Sequence, residues 1–229
     1  AASVFFRTVA HEKMSAKRKF YFGDVFKEGV YQPLHKDLFD EKAPDSWSRW
    51  LVPSFAEISK AADEEKAGDL RALLREEVRG VYSFDLFTPE FCDRLLAEVE
   101  HAEVTSREAL ERPNGMNRYG IVLNQLGLEP IITSLQQKYL MKLQAALFPD
   151  EGFDADDHHC FIVRYRAGED LGLDMHEDDS DVTLNVCLGR QFTQATLSFC
   201  GLACDDDHRQ LKHTYAHAKG RAVIHRGRH

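Results

Sequence analysis

The chain has 229 residues, 43% of them hydrophobic, with 38 acidic against 29 basic side chains for a net charge of −9. That length suits one domain of about 150 residues plus an extension, with apolar residues enough for a sizeable core. The acidity argues against a nucleic-acid or anionic-membrane surface, both of which need clustered cations, but it tolerates a basic protein or peptide substrate.

Residues 1–53 mix aromatics (Phe20, Tyr21, Phe22, Phe26, Tyr31, Phe39, Trp47, Trp50) with charges and with Pro33, Pro44 and Pro53, and show no sustained period. They read as an irregular N-terminal arm. Its aromatics either cap the chain's own core, the commoner fate, or dock the chain into a larger assembly as a subunit. The opening AASVFFRTVAHEKMSAKRKF has too short an apolar run for a secretory signal. Residues 54–80 form a helical segment. Ser54 and Glu57 mark a helix start, and Phe55, Ile58, Ala61, Ala62, Leu70, Leu73, Leu74 and Val78 recur at three- and four-residue intervals. This predicts two helices broken near Gly68, the second ended by Gly80.

From residue 81 to 229 a third unit begins with an alternating strand over Val81 to Phe87. Thr88 then caps a helix with Pro89 at its first position and Phe91, Leu95, Leu96 and Val99 on its buried face. A turn at Arg112-Pro113-Asn114-Gly115 precedes a short strand through Tyr119, Ile121 and Leu123. Pro130 to Phe148 predicts an amphipathic helix on Ile131, Leu135, Tyr139, Leu143 and Leu147. From Phe161 to His229 the chain breaks into short β-rich segments. Helices followed by a run of strands indicate an α+β fold: a β-sandwich or jelly roll with supporting helices. No run approaches the ~20 apolar residues of a membrane span. Five cysteines without a C-x-x-C pair read as free thiols of a reducing compartment, cytoplasmic or an organelle matrix rather than secretory.

The chemistry concentrates between Phe161 and Gly189. Two strand-like runs, Phe161-Ile162-Val163 and Val182 to Leu188, flank an acidic link that contains His176-Glu177-Asp178. Two residues apart at a strand end, an imidazole and a carboxylate project to one side, so one ion could touch both. A second histidine from a distant strand would complete a 2-His-1-carboxylate face with open positions on Fe(II). The competing reading is a solvated acidic loop or a nonspecific cation site, since Asp174, Glu177, Asp179 and Asp181 crowd the same stretch. Asn185, an amide between Leu184 and Val186 in a strand, needs a partner for its polar atoms.

The flanks of this tripeptide resemble the prolyl/lysyl-hydroxylase branch of the 2-oxoglutarate- and Fe(II)-dependent dioxygenases. The likeness runs through RYRAGEDLGLDMHEDDSDVTLNVCLG, Leu197-Ser198-Phe199-Cys200-Gly201, and Gly220-Arg221-Ala222-Val223-Ile224-His225-Arg226-Gly227, with Val81 to Phe87 and Met116-Asn117-Arg118-Tyr119-Gly120 upstream. It covers roughly residues 80 to 229. The resemblance implies a double-stranded β-helix (jelly-roll or cupin-like) fold. It implies Fe(II) held by His176 and Asp178, 2-oxoglutarate contacted by Tyr165 and Asn185 with Thr183 lining the pocket, and ascorbate as a further cofactor. It sets the distal iron histidine one or two residues beyond His229, so His229 and then His225 are the candidates within the chain. The final strands and the G-x-R arginine that grips 2-oxoglutarate are expected beyond the chain. Where the family has F-x-G-G-x-L-x-F, this chain reads Phe192-Thr193-Gln194-Ala195-Thr196-Leu197-Ser198-Phe199.

The activity implied is hydroxylation of a prolyl- or lysyl-type protein side chain or of another small substrate. The alternative is an inactive dioxygenase-like domain serving as an accessory or scaffold subunit. An unrelated cation-binding β-domain would take other divalent ions as well as iron and gain nothing from 2-oxoglutarate. His208, His213 and His217 read as surface residues, and His158-His159 carries no assigned role.

Overall fold

A computed structural model of the chain describes residues 1–9, 31–40, 47–64, 67–150, 157–190, 192–193 and 195–229. The expectations for Phe20, Tyr21, Phe22, Phe26 and Pro44 lie outside these residues. The strands are β1 (Ala2–Val9), β2 (Arg75–Val78), β3 (Val81–Asp85), β4 (Gly120–Val122), β5 (Asp157–Arg164), β6 (Val182–Gly189), β7 (Thr196–Phe199), β8 (His213–Ala216) and β9 (Arg221–Arg226). Seven of them form one sheet in the order β2-β3-β9-β6-β1-β5-β4, and β7 pairs with β8 in a separate hairpin. Every pairing is antiparallel. Five α-helices among the described residues accompany them: α1 (Phe55–Asp63), α2 (Ala67–Leu73), α3 (Pro89–Thr105), α4 (Glu129–Leu135) and α5 (Met141–Leu147), the last two joined by a π turn at Gln136–Leu140. The α+β expectation holds. No described helix is long and apolar enough to cross a membrane.

The sheet sorts its side chains by period two. Val4, Phe6, Cys160, Ile162, Leu184, Val186, Ala222, Ile224, Tyr82 and Phe84 share the main core with Leu95, Leu96 and Val99 of α3, which lies against β6. On the opposite face two smaller clusters flank the middle. At one end Phe199 and Tyr215 of the β7–β8 hairpin pack on Val81 and Val223. At the other, Phe5 and Tyr165 pack with Val122, Phe161 and Val163. The second layer thus covers one end of this face.

Three expectations are corrected. Residues Ala2–Val9, read as part of an irregular arm, form the interior strand β1, bonded to β5 on one side and β6 on the other. Eight residues bury enough apolar surface between two neighbours to order a strand that their own short pattern leaves unannounced. Tyr31, Trp47 and Trp50 are buried in the main core, so these arm aromatics cap the chain's own domain. The helix expected to run to Arg79 stops at Leu73. Arg75 to Val78 instead form a hairpin with β3, turned at Gly80, whose φ of 80° suits glycine. The Glu77 carboxylate secures β2 by accepting from Ser83 Oγ at 2.6 Å and lying 3.3 Å from His213 Nε2 on β8. His213, expected at the surface, therefore ties two layers together.

Thr88 caps α3 as its sequence indicates, its hydroxyl accepting from Phe91 N at 3.3 Å. Within α3, Glu98 is fully buried and accepts from Leu34 N (3.0 Å), His35 N (2.7 Å) and the Tyr31 hydroxyl. This carboxylate anchors residues 31–40 to the domain.

Candidate metal and cosubstrate site

The site sits on the face away from the main core, where one row of side chains crosses the sheet. His159 of β5, Arg7 of β1, Thr183 of β6 and His225 of β9 are successive cross-strand partners. The next row on this face is Phe161, Phe5, Asn185, Val223 and Ser83. The loop from Tyr165 to Asp181 lies against these rows and carries the H-x-D residues. They are not at a strand end, as the spacing suggested, but within irregular chain.

Backbone bonds at both strand ends hold that loop. Asp178 N donates to Gly227 O at 2.7 Å, Gly227 N to Asp181 O at 3.1 Å, and Asp181 N to Thr8 O at 2.9 Å. A Cβ at Gly227 would lie 2.0 Å from Ser180 O and 2.8 Å from Asp178 O, so only glycine admits this contact. At the loop's other end Asp170 Oδ2 accepts from Arg118 N (2.7 Å) and Tyr119 N (3.2 Å).

His176 and Asp178 converge, Nε2 to Oδ1 at 3.3 Å. The other imidazole nitrogen, Nδ1, is 2.8 Å from Asp174 O. A carbonyl only accepts, so Nδ1 carries a proton; Nε2 donates to Asp178 while the ring is protonated and becomes the ligating nitrogen once that proton leaves. His225 repeats the arrangement, with Nδ1 2.7 Å from Arg226 O. The Asp178 carboxylate accepts from Thr183 Oγ1 at 2.7 Å through Oδ2, and from the Arg7 guanidinium through Oδ1.

Burial alone would raise Asp178. His176, the Arg7 and His225 charges, and the Thr183 hydroxyl outweigh it and hold the acid far below the usual carboxylate range. His176 is raised, chiefly by its hydrogen bond to Asp178, and buried His225 is lowered by desolvation. A deprotonated acid beside a correctly oriented imidazole is a donor set for a divalent cation. The pair thus supplies two ligands of such a set, with Arg7 standing as a cation at the oxygen a metal would take.

The other candidates divide. Asn185 is 2% exposed, and its Oδ1 has no hydrogen-bond partner among the described residues. That orphaned acceptor faces the same side as Arg7 and Thr183. The Tyr165 hydroxyl accepts from Asn117 Nδ2 at 3.4 Å, and burial raises its pKa. Thr183 commits its hydroxyl to Asp178 and lies 2.8 Å from Ser180 Oγ. His229 stands beyond His225, 6.4 Å between ring centroids and 5.7 Å from the Phe199 ring, with both ring nitrogens buried and without partners among the described residues. Desolvation, with the His225 and Arg226 charges, lowers it to about 4. No three His, Cys, Asp or Glu side chains among the described residues stand in metal-binding geometry together. His158, given no role, has its Nε2 2.9 Å from Thr133 Oγ1 and joins β5 to α4.

Two residues of the site escaped sequence reading. Asn117, within the Met116 to Gly120 motif, is aimed at Tyr165 by a turn in which Asn114 Oδ1 accepts from Met116 N and Asn117 N. Arg7 had a signal: in Val4-Phe5-Phe6-Arg7-Thr8 a period-two reading sets one arginine beside Phe5 on a face otherwise apolar. A cleft of about 540 Å³, lined by Asp93, Arg190, Phe192, His217 and Lys219, contains none of these groups.

Fold and site define an α+β protein that sets a His–Asp pair and a buried polar row on one face of an antiparallel sheet. The chain matches the OGFOD2-like domain over residues 28–153, more than half its length, and belongs to that family. It is 37% identical over 208 residues to the 2-oxoglutarate and iron-dependent oxygenase domain-containing protein ICU11 of Arabidopsis thaliana, covering 87% of this chain and 51% of that protein. To the 2-oxoglutarate and iron-dependent oxygenase domain-containing protein 2 of Homo sapiens it is 36% identical over 204 residues, 86% of this chain and 57% of that protein. A more distant similarity, 30% over 181 residues, joins it to the human multifunctional procollagen lysine hydroxylase and glycosyltransferase LH3, covering 74% of this chain and 23% of that protein. The chain spans about half the length of these curated oxygenase domain-containing relatives.

Proposed function

We propose that this chain forms the core of a 2-oxoglutarate- and Fe(II)-dependent dioxygenase that hydroxylates a prolyl- or lysyl-type side chain or another small substrate. The observation that carries this reading is the convergence of His176 Nε2 and Asp178 Oδ1, with the imidazole tautomer set by Asp174 O. His176 and Asp178 would hold the metal. The third nitrogen would come from His229, the candidate the family resemblance favours, or from His225, whose Nδ1 is likewise turned to a backbone carbonyl. Iron and 2-oxoglutarate together supply the oxidative chemistry, in which the cosubstrate leaves as succinate and carbon dioxide.

The chain's own contribution is placement. Thr183 and Ser180 keep the Asp178 carboxylate aimed. The Asn185 amide, whose oxygen lacks a partner, and the Tyr165 hydroxyl offer polar contacts to a cosubstrate carboxylate or carbonyl. Phe5, Phe161, Val163 and Val122 form an apolar wall that excludes water on one side. A jelly-roll closure, with the β7–β8 hairpin as part of its second sheet, belongs to the same reading, as does ascorbate as a reductant that keeps the iron ferrous. The five free thiols, three of them buried, suit a cytoplasmic or organelle-matrix address.

One observation favours the second reading, an inactive accessory or scaffold subunit: the Arg7 guanidinium rests on the carboxylate a metal would need. Anaerobic titration with Fe(II) and 2-oxoglutarate separates the two. The dioxygenase reading expects a weak visible charge-transfer band, then succinate release in air. The band should vanish in Asp178→Ala and persist in Glu177→Ala, an exposed residue between the two in sequence. No band from the intact chain would leave the scaffold reading standing.

A further inference from the structure

Arg7 enters the site from the interior strand β1, and its contacts are unequal. Its guanidinium lies over the Phe161 ring at 5.0 Å and bonds Asp178 Oδ1, the same oxygen that lies 3.3 Å from His176 Nε2. Its Nε is buried and has no partner among the described residues. Thr183 is the cross-strand partner of Arg7, and Asn185, two residues along β6 on the same face, is the partner of Phe5. Arg7 and Asn185 are thus diagonal neighbours, within reach of a long side chain. The Asn185 Oδ1 is a buried acceptor with no donor, one diagonal step from a buried donor with no acceptor. Leaving both unmade is costly.

We propose that Arg7 is an exchangeable resident cation of this site: it neutralises Asp178 until a divalent cation takes the carboxylate, and then turns along β1 to Asn185 Oδ1. The proposal rests on the metal-site reading above and adds to it a position-switching residue. A buried carboxylate without a cation is expensive, so Arg7 keeps Asp178 ionised and aimed before any metal arrives. The same contact makes Arg7 a competitor that the metal must displace. After exchange, a guanidinium beside a divalent cation is repelled unless an anion sits between them, and a dicarboxylate such as 2-oxoglutarate provides one. Metal and dicarboxylate should therefore bind with positive coupling, each tightening the other by the same factor.

The test titrates Mn(II), read from the loss of its free EPR signal, into the full chain with and without 2-oxoglutarate, for wild type, Arg7→Gln and Arg7→Lys. Arg7→Gln is expected to bind Mn(II) alone about tenfold more tightly than wild type, the scale on which one charge-assisted hydrogen bond competes. It should also gain less from 2-oxoglutarate, while Arg7→Lys, which keeps the charge, stays near wild type on both counts. Equal or weaker Mn(II) binding by Arg7→Gln overturns the exchange alone. Failure of both wild type and Arg7→Gln to take up Mn(II) overturns the metal-site reading and the exchange with it. Should Arg7→Gln not fold, the wild type still decides through the Arg7 Nε–H resonance, assigned by its loss in Arg7→Lys. That resonance shifts on titration with Zn(II) if the guanidinium moves, and a fixed resonance overturns the proposal.

Discussion

Gly227 shows how one missing side chain sets the site. The backbone of Asp178 and Ser180 closes on it so tightly that a Cβ would meet Ser180 O at 2.0 Å. Gly227→Ala must therefore push the H-x-D loop off the end of β9, breaking the bonds between Asp178, Gly227 and Asp181. We expect a loss of about 3 kcal/mol in urea unfolding, in the range of overpacked sites, together with loss of Mn(II) uptake. A variant with unchanged stability and uptake would show that the loop does not depend on this contact. At the same scale, the H-x-D residues and Asn185 were legible because their message is local: spacing, and an amide where strands avoid one. The bond from Arg7 to Asp178 was not, because the two are 171 residues apart and only strand order brings them together.

Among the elements, α3 was the most legible and β1 the least. Helix capping is chemistry within four residues: Thr88 accepts from Phe91 N, and Pro89 needs no donor partner at the first position. Thr88→Ala is expected to cost about 1 kcal/mol of stability, seen as a lower urea midpoint with an unchanged m-value. A change below a tenth of that would mean the Pro89 turn holds the helix end alone. The second helix failed to extend to Arg79 for the converse reason. Leu74 and Val78 keep helical spacing, but Glu77 finds Ser83 and His213 only in a hairpin, and that non-local bonding outweighs the propensity of a short segment.

For the whole molecule, acid should be destabilising through histidines folded in their neutral form. His217 is lowered by burial from 6.5 to about 4, and its Nδ1 has no partner among the described residues. Between those values the unfolded chain holds a proton that the folded chain does not. Its contribution is thus complete above pH 6.5 and is lost as pH falls toward 4. Because the ring is only part-buried, we expect His217→Asn to flatten the fall in unfolding free energy between pH 7 and pH 5 by about 1 kcal/mol at most. Parallel pH profiles for wild type and variant would remove His217 from that account.

By itself the sequence determined what short-range physics writes: an acidic α+β chain, a capped helix, alternating strands, an imidazole and a carboxylate two residues apart, and a family likeness on the motifs around them. Tertiary structure alone decided that the opening residues form an interior strand of the sheet, that Arg7 rests on Asp178, and that Glu98 gathers residues 31–40. The reason is physical. Period and capping depend on neighbours a few residues away, whereas register between strands more than a hundred residues apart is chosen by which pairing buries the most apolar surface while leaving the fewest polar groups unmet.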